Sequence, residues 1–253
     1  YFDIVTLKVK ITISDYNIHV DYSGSSNQTN KASINCVYNV THSSTMYPFK
    51  CALVPRIPNN TGLFNAIQVF AKKGSILNTT FPHPVQARAK TTNNINQVIF
   101  GALDAVFGKY SQAGSGSIWP FSVFGVDDDG KNFSCHILPH GGRGAMKEMD
   151  GLIPIAFPHN SVVTPIEIME LKSPIIFDMK ELIPNSGGPG LYRGGLSQRI
   201  KIRNISKNII KARIRPDKIL CEPRGLNGGR SGIKGKVIYN DKEIFEFPIF
   251  NFK

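Results

Sequence analysis

Three residues in the middle of the chain have side chains that could do acid–base chemistry. His140 begins a glycine-bearing loop, where an imidazole can act as a base or a ligand, although a lone histidine is more often structural. Glu167 and Glu170 share one face of a helix if the segment after Pro165 is helical. Such paired carboxylates can exchange protons or hold a metal ion, and the alternative is a capping or ion-pair role.

The segment SGGPGLYRGG, residues 186–195, contains five glycines in ten positions. It is not a Walker phosphate loop, because no Lys-Ser or Lys-Thr pair follows the glycines. It is not a GxGxxG dinucleotide motif either, because Arg193 occupies the third glycine position. The backbone amides could form an anion-binding nest with Arg193 as a forked ligand, and the alternative is a tight structural turn. This segment therefore does not support ATP binding by the chain.

Two further patterns resemble metal sites only in part. Around the Asp-Asp-Asp-Gly sequence at 127–130, an EF-hand alignment puts Gly125 and His136 at the first and twelfth ligand positions, where acids are needed. His136 and His140 would stand about 13 Å apart on an extended strand, too far to bind one zinc ion. We therefore predict a hairpin turn at 127–130 and no metal site.

The formal net charge of +12 raises the question of a polyanionic partner. Basic residues recur at period two on two expected strands, at Arg199, Lys201, Arg203, Lys211, Arg213 and Arg215. No acid lies between Gln198 and Arg215, so like charges would repel in a hairpin unless an acidic partner covers them. The alternative is a solvated hairpin face. Nucleic acid is disfavoured as a partner, because no aromatic residue interleaves these basic residues.

The composition is that of a folded protein, with 41% apolar and 19% charged residues. No apolar run reaches the roughly 18 residues of a membrane span, and the first three residues do not form a targeting signal. The four cysteines, Cys36, Cys51, Cys135 and Cys221, include no CxxC pair, which favours reduced, buried thiols. We expect a cytoplasmic protein without a membrane partner.

The candidate residues need elements that position them. Alternation of apolar and polar residues predicts a β-hairpin within residues 1–25. Helical spacing predicts a helix at 93–108, with Thr92 or Asn93 as N-cap and Gly108 as C-cap, and this helix should pack one apolar face on a sheet.

The second half of the chain consists mainly of strands and loops. Strands are expected on both sides of the 127–130 turn, and further β stretches at 197–205, 208–215 and 234–250. Glycine-rich loops follow structured segments at 141–151, 187–195 and 225–235, and sites usually lie on such loops. No repeat or linker stands out. The predicted fold class is one continuous α+β unit, mostly β, with mixed sheets, a packed helix near 93–108 and glycine-rich loops.

Six motifs occur in order along nearly the whole chain, and together they resemble the second half of the hydantoinase B family. They are HVDYSGSSNQTNKASIN, FPHPVQARAKTT, GGRGAMKEMDG, TPIEIMELKSP, NSGGPGLYRGGLSQ and EPRGLNGGRSG. This family includes the B subunits of N-methylhydantoinases, the matching part of 5-oxoprolinases, and related subunits of acetone and acetophenone carboxylases. On these motifs the chain is identified as a member of the family.

The resemblance implies a division of labour between two polypeptides. A hydantoinase A-like subunit with an actin-like ATPase fold would bind ATP and phosphorylate the substrate amide or carbonyl oxygen, or bicarbonate. The B-type polypeptide would then open the activated cyclic amide with water, or carry out a carboxylation. The lack of a phosphate loop agrees with this division, and the basic strands would dock a partner or another part of the assembly.

The chain departs from the family pattern at both ends. A segment resembling N-D-P-x-x-G-G-T-H, with His and Asp residues that look like metal ligands, would lie upstream, and a glycine-rich terminal segment would follow EPRGLNGGRSG. We therefore expect residues 1–253 to be one portion of a B subunit, from a split gene, a cleaved product or a decayed reading frame. The N-terminal portion of the B subunit would be a partner. A divalent metal and ATP are expected in that missing segment and in the ATPase subunit.

The resemblance also selects candidate site residues. The candidate catalytic residues are His140, Asp150, Glu167 and Glu170, and the candidate substrate- or anion-binding residues are Gly187, Gly188, Gly190, Arg193, Gly194, Gly195 and Asn160. Arg193 could pair bidentately with a carboxylate or phosphate of the activated substrate. Glu167 and Asp150 could instead brace the loops by accepting backbone N–H bonds, and we prefer that interpretation.

Three functions stay open at this point. The chain is part of an ATP-dependent hydrolase of small cyclic amides, a subunit of an acetone- or acetophenone-type carboxylase, or a non-catalytic remnant or binding protein that keeps the fold. The substrate cannot be identified from these residues, because they form neither a complete pocket nor a specificity signature.

Overall fold

A computed structural model describes residues 4–14, 16–159, 161 and 163–252. The chain divides into two compact units, residues 1–112 and 113–253. The sequence predicts one continuous unit, and no change of composition marks the boundary near residue 112. The architecture is mixed α+β, and strands outnumber helices among the described residues, which confirms the predicted fold class.

The first unit combines a three-stranded sheet with three helices. Its elements are β1 (Lys10–Ile13), β2 (Ile18–Asp21), α1 (Tyr38–Leu53), α2 (Thr61–Ala66), β3 (Ile67–Phe70) and α3 (Ala89–Phe107). The predicted hairpin is confirmed, because β1 and β2 pair antiparallel, and β3 extends the sheet by pairing parallel to β2. The hairpin turn contains Asp15, which lies outside the described residues.

The core of the first unit consists of large side chains. Tyr22, Phe49, Ile76 and Leu77 are fully buried, together with apolar residues of the sheet and of α3. The Tyr22 hydroxyl and Thr45 Oγ1 lie 2.8 Å apart in a hydrogen bond, so the buried phenol has a partner. Burial raises the pKa of Tyr22 well above its usual range.

Helix α3 packs one stripe of its surface into this core. Ile95, Ile99 and Leu103 recur every four residues and are at most 2% exposed. The helix therefore lies where the sequence predicts one, and Gly108 is its C-cap as predicted.

The N-terminal boundary of α3 differs from the prediction. The helix begins at Ala89, and its N-cap is Arg88 in place of Thr92 or Asn93. The Thr92 hydroxyl donates to the carbonyl of Ala89 (3.0 Å) inside the first turn, so this residue bonds within the helix and does not cap it.

The second unit is built from antiparallel pairs and one short helix. Its elements are β4 (Phe121–Val126), β5 (Asn132–Ile137), α4 (Ile166–Lys172), β6 (Ile175–Leu182), β7 (Gln198–Asn204), β8 (Ile210–Ile214), β9 (Ile238–Tyr239), β10 (Lys242–Glu243) and β11 (Phe250–Phe252). The strand order of the main sheet is β11-β8-β4-β5, while β6 pairs with β7 and β9 with β10. The hairpin predicted around 127–130 is confirmed by the pairing of β4 with β5.

The predicted β stretch at 234–250 is only partly regular. It contains the two-residue strands β9 and β10, and β11 begins at its last residue, Phe250. Asn240 and Asp241 have φ values of 48° and 60° and form the tight turn between β9 and β10. The core of the second unit lies where β4, β5 and β8 meet α4 and β6, with Val123, Ile175 and Ile210 fully buried.

The interpretation in which the two basic strands form one hairpin is wrong. β7 pairs with β6, whereas β8 pairs with β4 and β11 in a different sheet. The acids missing from the basic stretch come from β6: Arg199 forms an ion pair with Glu181 (2.8 Å), and Arg203 with Asp178 (3.0 Å). The repulsion expected on β7 is therefore offset across the strand pair, and no acidic partner is needed for it.

No described helix is long and apolar enough to cross a membrane. Cys36 and Cys135 are buried free thiols, as the sequence suggests, whereas Cys51 and Cys221 are exposed. Burial raises the pKa of Cys36 to about 12.

Candidate functional site

Three glycine-rich segments of the second unit contact one another through their backbones. We call these segments the glycine cluster; they are residues 141–151, 187–195 and 225–235. The Gly195 amide donates to the Arg143 carbonyl (2.9 Å), which joins the first segment to the second. The Arg230 amide donates to the Pro189 carbonyl (2.9 Å), which joins the second to the third. The three segments therefore form one layer of mutually hydrogen-bonded loops.

The glycines of the cluster are needed for close approach of backbones. A Cβ at Gly195 would stand 1.8 Å from the Leu152 carbonyl oxygen, and one at Gly187 would stand 1.9 Å from that of Gly194. Among the glycines of the cluster, only Gly228 has a positive φ. Steric exclusion of side chains, and not unusual backbone conformation, explains Gly187, Gly188 and Gly195 of SGGPGLYRGG, whereas a Cβ at Gly190 would meet no atom nearer than 3.2 Å.

Much of the predicted amide nest is already occupied. The amides of Arg193, Gly194 and Gly195 donate to Asp150 Oδ1 (2.7 Å), the Gly188 carbonyl (2.9 Å) and the Arg143 carbonyl (2.9 Å). The prediction of an anion site at this loop therefore depends on the exposed Arg193 side chain and on the remaining candidates, Gly187, Gly188 and Gly190.

Two of the three candidate carboxylates accept backbone N–H bonds, and the third lies in the first turn of a helix. Asp150 accepts the Arg193 amide, which confirms the bracing interaction expected of it. Segment 166–172 is helical, as the Glu167 and Glu170 spacing requires, but it is Glu170 that accepts a backbone N–H, from Phe177 (2.8 Å). Glu167 lies exposed in the first turn of α4, where the helix dipole favours a negative charge.

His140 is the most enclosed of the candidate side chains, with 3% of its surface exposed. Its carbonyl accepts a hydrogen bond from Gln198 Nε2 (2.7 Å), and its Nε2 lies 3.5 Å from Ser161 Oγ. Its Nδ1 is buried and has no hydrogen-bond partner among the described residues. A buried ring nitrogen without a partner is costly, so this nitrogen makes His140 a notable candidate.

A small cavity of about 60 Å³ lies beside His140. The described residues that line it are His136, Ile137, Leu138, Pro139, His140, Val163, Thr164, Ile166, Met169, Phe177, Lys180, Gln198 and Ile200. β5 ends at Ile137, so the extended-strand separation assumed for His136 and His140 does not apply, and both histidines contact one cavity. Ser122 Oγ, on the neighbouring strand, lies 2.8 Å from His136 Nδ1.

The electrostatics of the cavity favour a neutral His140 at neutral pH. Burial, the charge of His159 and the charge of Lys180 all lower the pKa of His140. Burial also lowers the pKa of His159. A neutral imidazole can accept a proton, which a general base must do.

The structure brings together some of the predicted residues and adds others. His140 immediately precedes the segment that contains Asp150, and Asp150 contacts Arg193 directly. Asn160 lies outside the described residues. Sequence reasoning did not find Lys180 and Gln198, because a lysine and a glutamine within strands carry no motif. Within the described residues there is no group of three or more His, Cys, Asp or Glu side chains that could hold a metal ion.

Solved structures with the same fold belong to ATP-dependent enzymes. The chain matches the nucleotide-free structure of an acetone carboxylase with a TM-score of 0.80 and 19% identity, over 91% of this chain and 32% of that one. It matches an ATP-dependent caprolactamase from Pseudomonas jessenii with a TM-score of 0.73 and 18% identity, over 97% of this chain and 47% of that one. At these identities the likeness establishes the fold.

The sequence comparison establishes the family. Residues 1–248 match the family described as Hydantoinase B/oxoprolinase, and the chain belongs to that family. An uncharacterised protein of Methanocaldococcus jannaschii is 33% identical over 245 residues, which are 95% of this chain and 42% of that protein. The chain thus spans about two fifths of the length of this relative. The family assignment made from the six motifs is confirmed.

Proposed function

We propose that this chain is part of the B-type polypeptide of an ATP-dependent cyclic amide hydrolase, of the N-methylhydantoinase or 5-oxoprolinase kind. The observation that carries the proposal is the match of residues 1–248 to the Hydantoinase B/oxoprolinase family. The fold shared with a caprolactamase supports it, because caprolactam is a cyclic amide and that enzyme is ATP-dependent. A cytoplasmic location belongs to the same proposal.

Partner subunits would supply what this chain lacks. A hydantoinase A-like subunit with an actin fold would bind ATP and phosphorylate the amide oxygen of the ring. The N-terminal portion of the B polypeptide would hold the divalent metal. The absence of any Walker or GxGxxG motif from the sequence supports this division.

Within this chain, His140 would act as the general base for ring opening. It is buried beside a cavity, its Nδ1 has no described partner, and its lowered pKa keeps it neutral at pH 7. It would take a proton from the water that attacks the activated amide carbon and pass it to the ring nitrogen as the C–N bond breaks. A second water would then hydrolyse the resulting acyl phosphate and release phosphate. Arg193 would bind the phosphate or a substrate carboxylate through its guanidinium fork.

Asp150, Glu167 and Glu170 would position these groups. Asp150 holds the backbone of Arg193, and Glu170 fixes the start of β6 relative to α4. Their effect on catalysis would therefore be indirect, through the loop and the helix that they hold.

The test is turnover by the complete B polypeptide that contains this chain, purified with its A-type ATPase. Hydantoin, 5-oxoproline and caprolactam are supplied with ATP, and the ring-opened product and ADP are quantified. We expect one substrate class to give product and ADP in equal amounts. His140→Gln should lower kcat by about 10²- to 10⁴-fold. Tyr16→Ala, at a 90% exposed side chain of the first unit, is the control and should leave the rate unchanged.

Two further variants address the anion role. Arg193→Lys keeps the charge but removes the fork, and it should raise KM more than it lowers kcat. Unchanged kinetics in Arg193→Lys would exclude that role, and full activity in His140→Gln would exclude the base.

A carboxylase is the second candidate, supported by the TM-score of 0.80 to acetone carboxylase. The same preparation is therefore tested with acetone, ATP and labelled bicarbonate. Incorporation of label without ring opening would replace the hydrolase proposal by this one. If no substrate is converted, either with or without ATP, a non-catalytic binding protein would be favoured instead.

A further inference from the structure

The cavity beside His140 has an unbalanced set of polar groups. Three of its lining residues carry or can acquire a positive charge, His136, His140 and Lys180. None of the described lining residues is an aspartate or a glutamate. The Thr164 hydroxyl adds a hydrogen-bond donor, and the remaining wall is largely apolar. A pocket with these positive groups and no carboxylate among its described lining residues favours a negatively charged ligand.

The position of Lys180 follows from the register of its strand pair. Lys180 lies opposite Ile200, and directly opposed residues of an antiparallel pair share one face of the sheet. Both residues line the cavity. Lys201, the next residue along β7, pairs with Met179 and therefore belongs to the other face.

We propose that this cavity binds a small oxyanion, of carboxylate, carbonate or phosphate type, between Lys180 and His140. His140 and Lys180 both line the cavity, and the Lys180 ammonium provides the charge. The cavity volume of about 60 Å³ has room for several water-sized groups, which suits an ion of a few heavy atoms.

A hard divalent cation such as Mg²⁺ or Ca²⁺ does not fit the same cavity. Hard cations bind oxygen ligands, chiefly carboxylates, and none lines the described wall. The two carboxylates of α4 lie outside it, since Glu167 is exposed and Glu170 accepts the amide of Phe177.

Binding should be coupled to protonation of His140. The charged or titratable groups around this imidazole are His136 on β5, His159 on the following loop and Lys180 on β6, and the positive charges of His159 and Lys180 oppose its protonation. A bound anion offsets that repulsion, so His140 takes up a proton as the anion binds. Affinity should therefore rise as the pH falls, by up to about tenfold per pH unit.

The binding experiment uses the complete polypeptide without ATP or organic substrate. Sodium formate, bicarbonate and inorganic phosphate are titrated separately by calorimetry at constant ionic strength, with chloride as the reference anion, between pH 6 and 8. We expect one of them to bind saturably at one site, at least about tenfold more tightly than chloride, and the three arms identify the oxyanion source.

Two variants on one strand pair separate the site from general charge effects. Lys180→Met should weaken binding by about tenfold or more, whereas Lys201→Met, at an exposed lysine of the opposite face, should leave the affinity unchanged. With formate, whose charge does not change between pH 6 and 8, His140→Gln should remove the proton uptake and the pH dependence of the affinity. Both lysines are exposed, so neither change disturbs the core.

Three results would overturn the oxyanion site: no saturable binding of any of the three anions, equal losses in the two lysine variants, or pH dependence of formate binding that persists in His140→Gln. Because the measurement needs neither ATP nor turnover, it is independent of the proposed hydrolase activity. Anion binding without catalysis would support the oxyanion site and contradict the hydrolase proposal. Catalysis without anion binding would support the hydrolase proposal and contradict the oxyanion site.

Discussion

The core of the first unit and the glycine cluster of the second are held together in opposite ways. The core buries large side chains, such as Tyr22, Phe49 and Leu77, and gains stability from the apolar surface that they remove from water. The cluster brings backbones so close that no side chain fits between them, and it is joined by N–H···O=C bonds across loops. One region is stabilised by the side chains that it contains, and the other requires their absence.

This difference has a functional consequence. A loop layer fixed by backbone hydrogen bonds can hold neighbouring groups in place, because it does not need side chains for its own packing. His140 stands at the start of the first segment of the cluster, and Arg193 lies within the second. We therefore expect the cluster to hold the backbone next to His140 and around Arg193 in place.

The largest effect should come from emptying the side-chain core. Phe49→Ala removes a fully buried ring from α1, and we expect it to lower the free energy of unfolding by about 4 kcal/mol. Urea unfolding followed by far-UV circular dichroism measures this loss. Leu191→Ala, in the cluster, removes a side chain that is 91% exposed and should change stability by less than about 0.5 kcal/mol. Comparable losses in both variants would remove the contrast.

The second-largest effect should come from the reverse change, in which a methyl group is added to the glycine cluster. Gly195→Ala places a Cβ 1.8 Å from the Leu152 carbonyl oxygen, so the backbone must shift, and we expect a loss of about 3 kcal/mol. The only tryptophan, Trp119, lies in the second unit, and its fluorescence reports unfolding there.

Gly190→Ala is the matched control for this change. The nearest atoms to its Cβ would be the Tyr192 carbonyl oxygen at 3.2 Å and the Gly229 Cα at 3.5 Å, so the strain is small. We expect a change within about 1 kcal/mol. If the two alanine variants were equally stable, close approach would not explain the glycines of this segment.

A third prediction concerns pH and the enclosed histidine next to the cluster. The pKa values of His140 and His159 are both lowered in the folded protein. Above the unfolded-state value, near 6.5, the imidazoles are neutral in both states. As the pH falls below it, the unfolded chain binds protons first, so the folded state loses stability until the folded pKa values are passed.

Unfolding free energies at pH 7.5 and pH 5 measure this loss. His140→Gln, which cannot titrate, should lose less stability over this interval than the unchanged protein. His19→Gln alters an exposed histidine of β2 and serves as the control. It should lose as much unfolding free energy between pH 7.5 and pH 5 as the unchanged protein. An equal loss in all three proteins would mean that His140 is not held neutral by its surroundings.

The sequence predicts regular elements better than it predicts their partners. The hairpins β1–β2 and β4–β5 and the helix α3 follow from local periodicity and turn residues, and all three are present. The pairing of β7 with β6 is a long-range choice, so local patterns pointed to the adjacent basic strand. The boundary between the two units likewise carries no local signal.

The candidate site was predicted in part, for a similar reason. His140 and the glycine loops are visible because their residue types are unusual in their context. Lys180 and Gln198 contact the cavity only through strand register, and common residue types within strands give no indication of that. The structural reason for the glycines could not be predicted either, because a sequence does not reveal which backbones approach one another.

The smallest effect is expected at the brace between two segments of the cluster. Asp150→Ala removes the carboxylate that accepts the Arg193 amide, and it should lower the free energy of unfolding by about 1 kcal/mol. Asp150→Asn keeps an oxygen acceptor at the same position and should recover more than half of that loss. Trp119 fluorescence during urea unfolding measures both variants. Because the hydrogen bonds between backbones remain in each, a loss as large as that of Gly195→Ala would mean that one side chain, and not the backbone layer, holds these loops together.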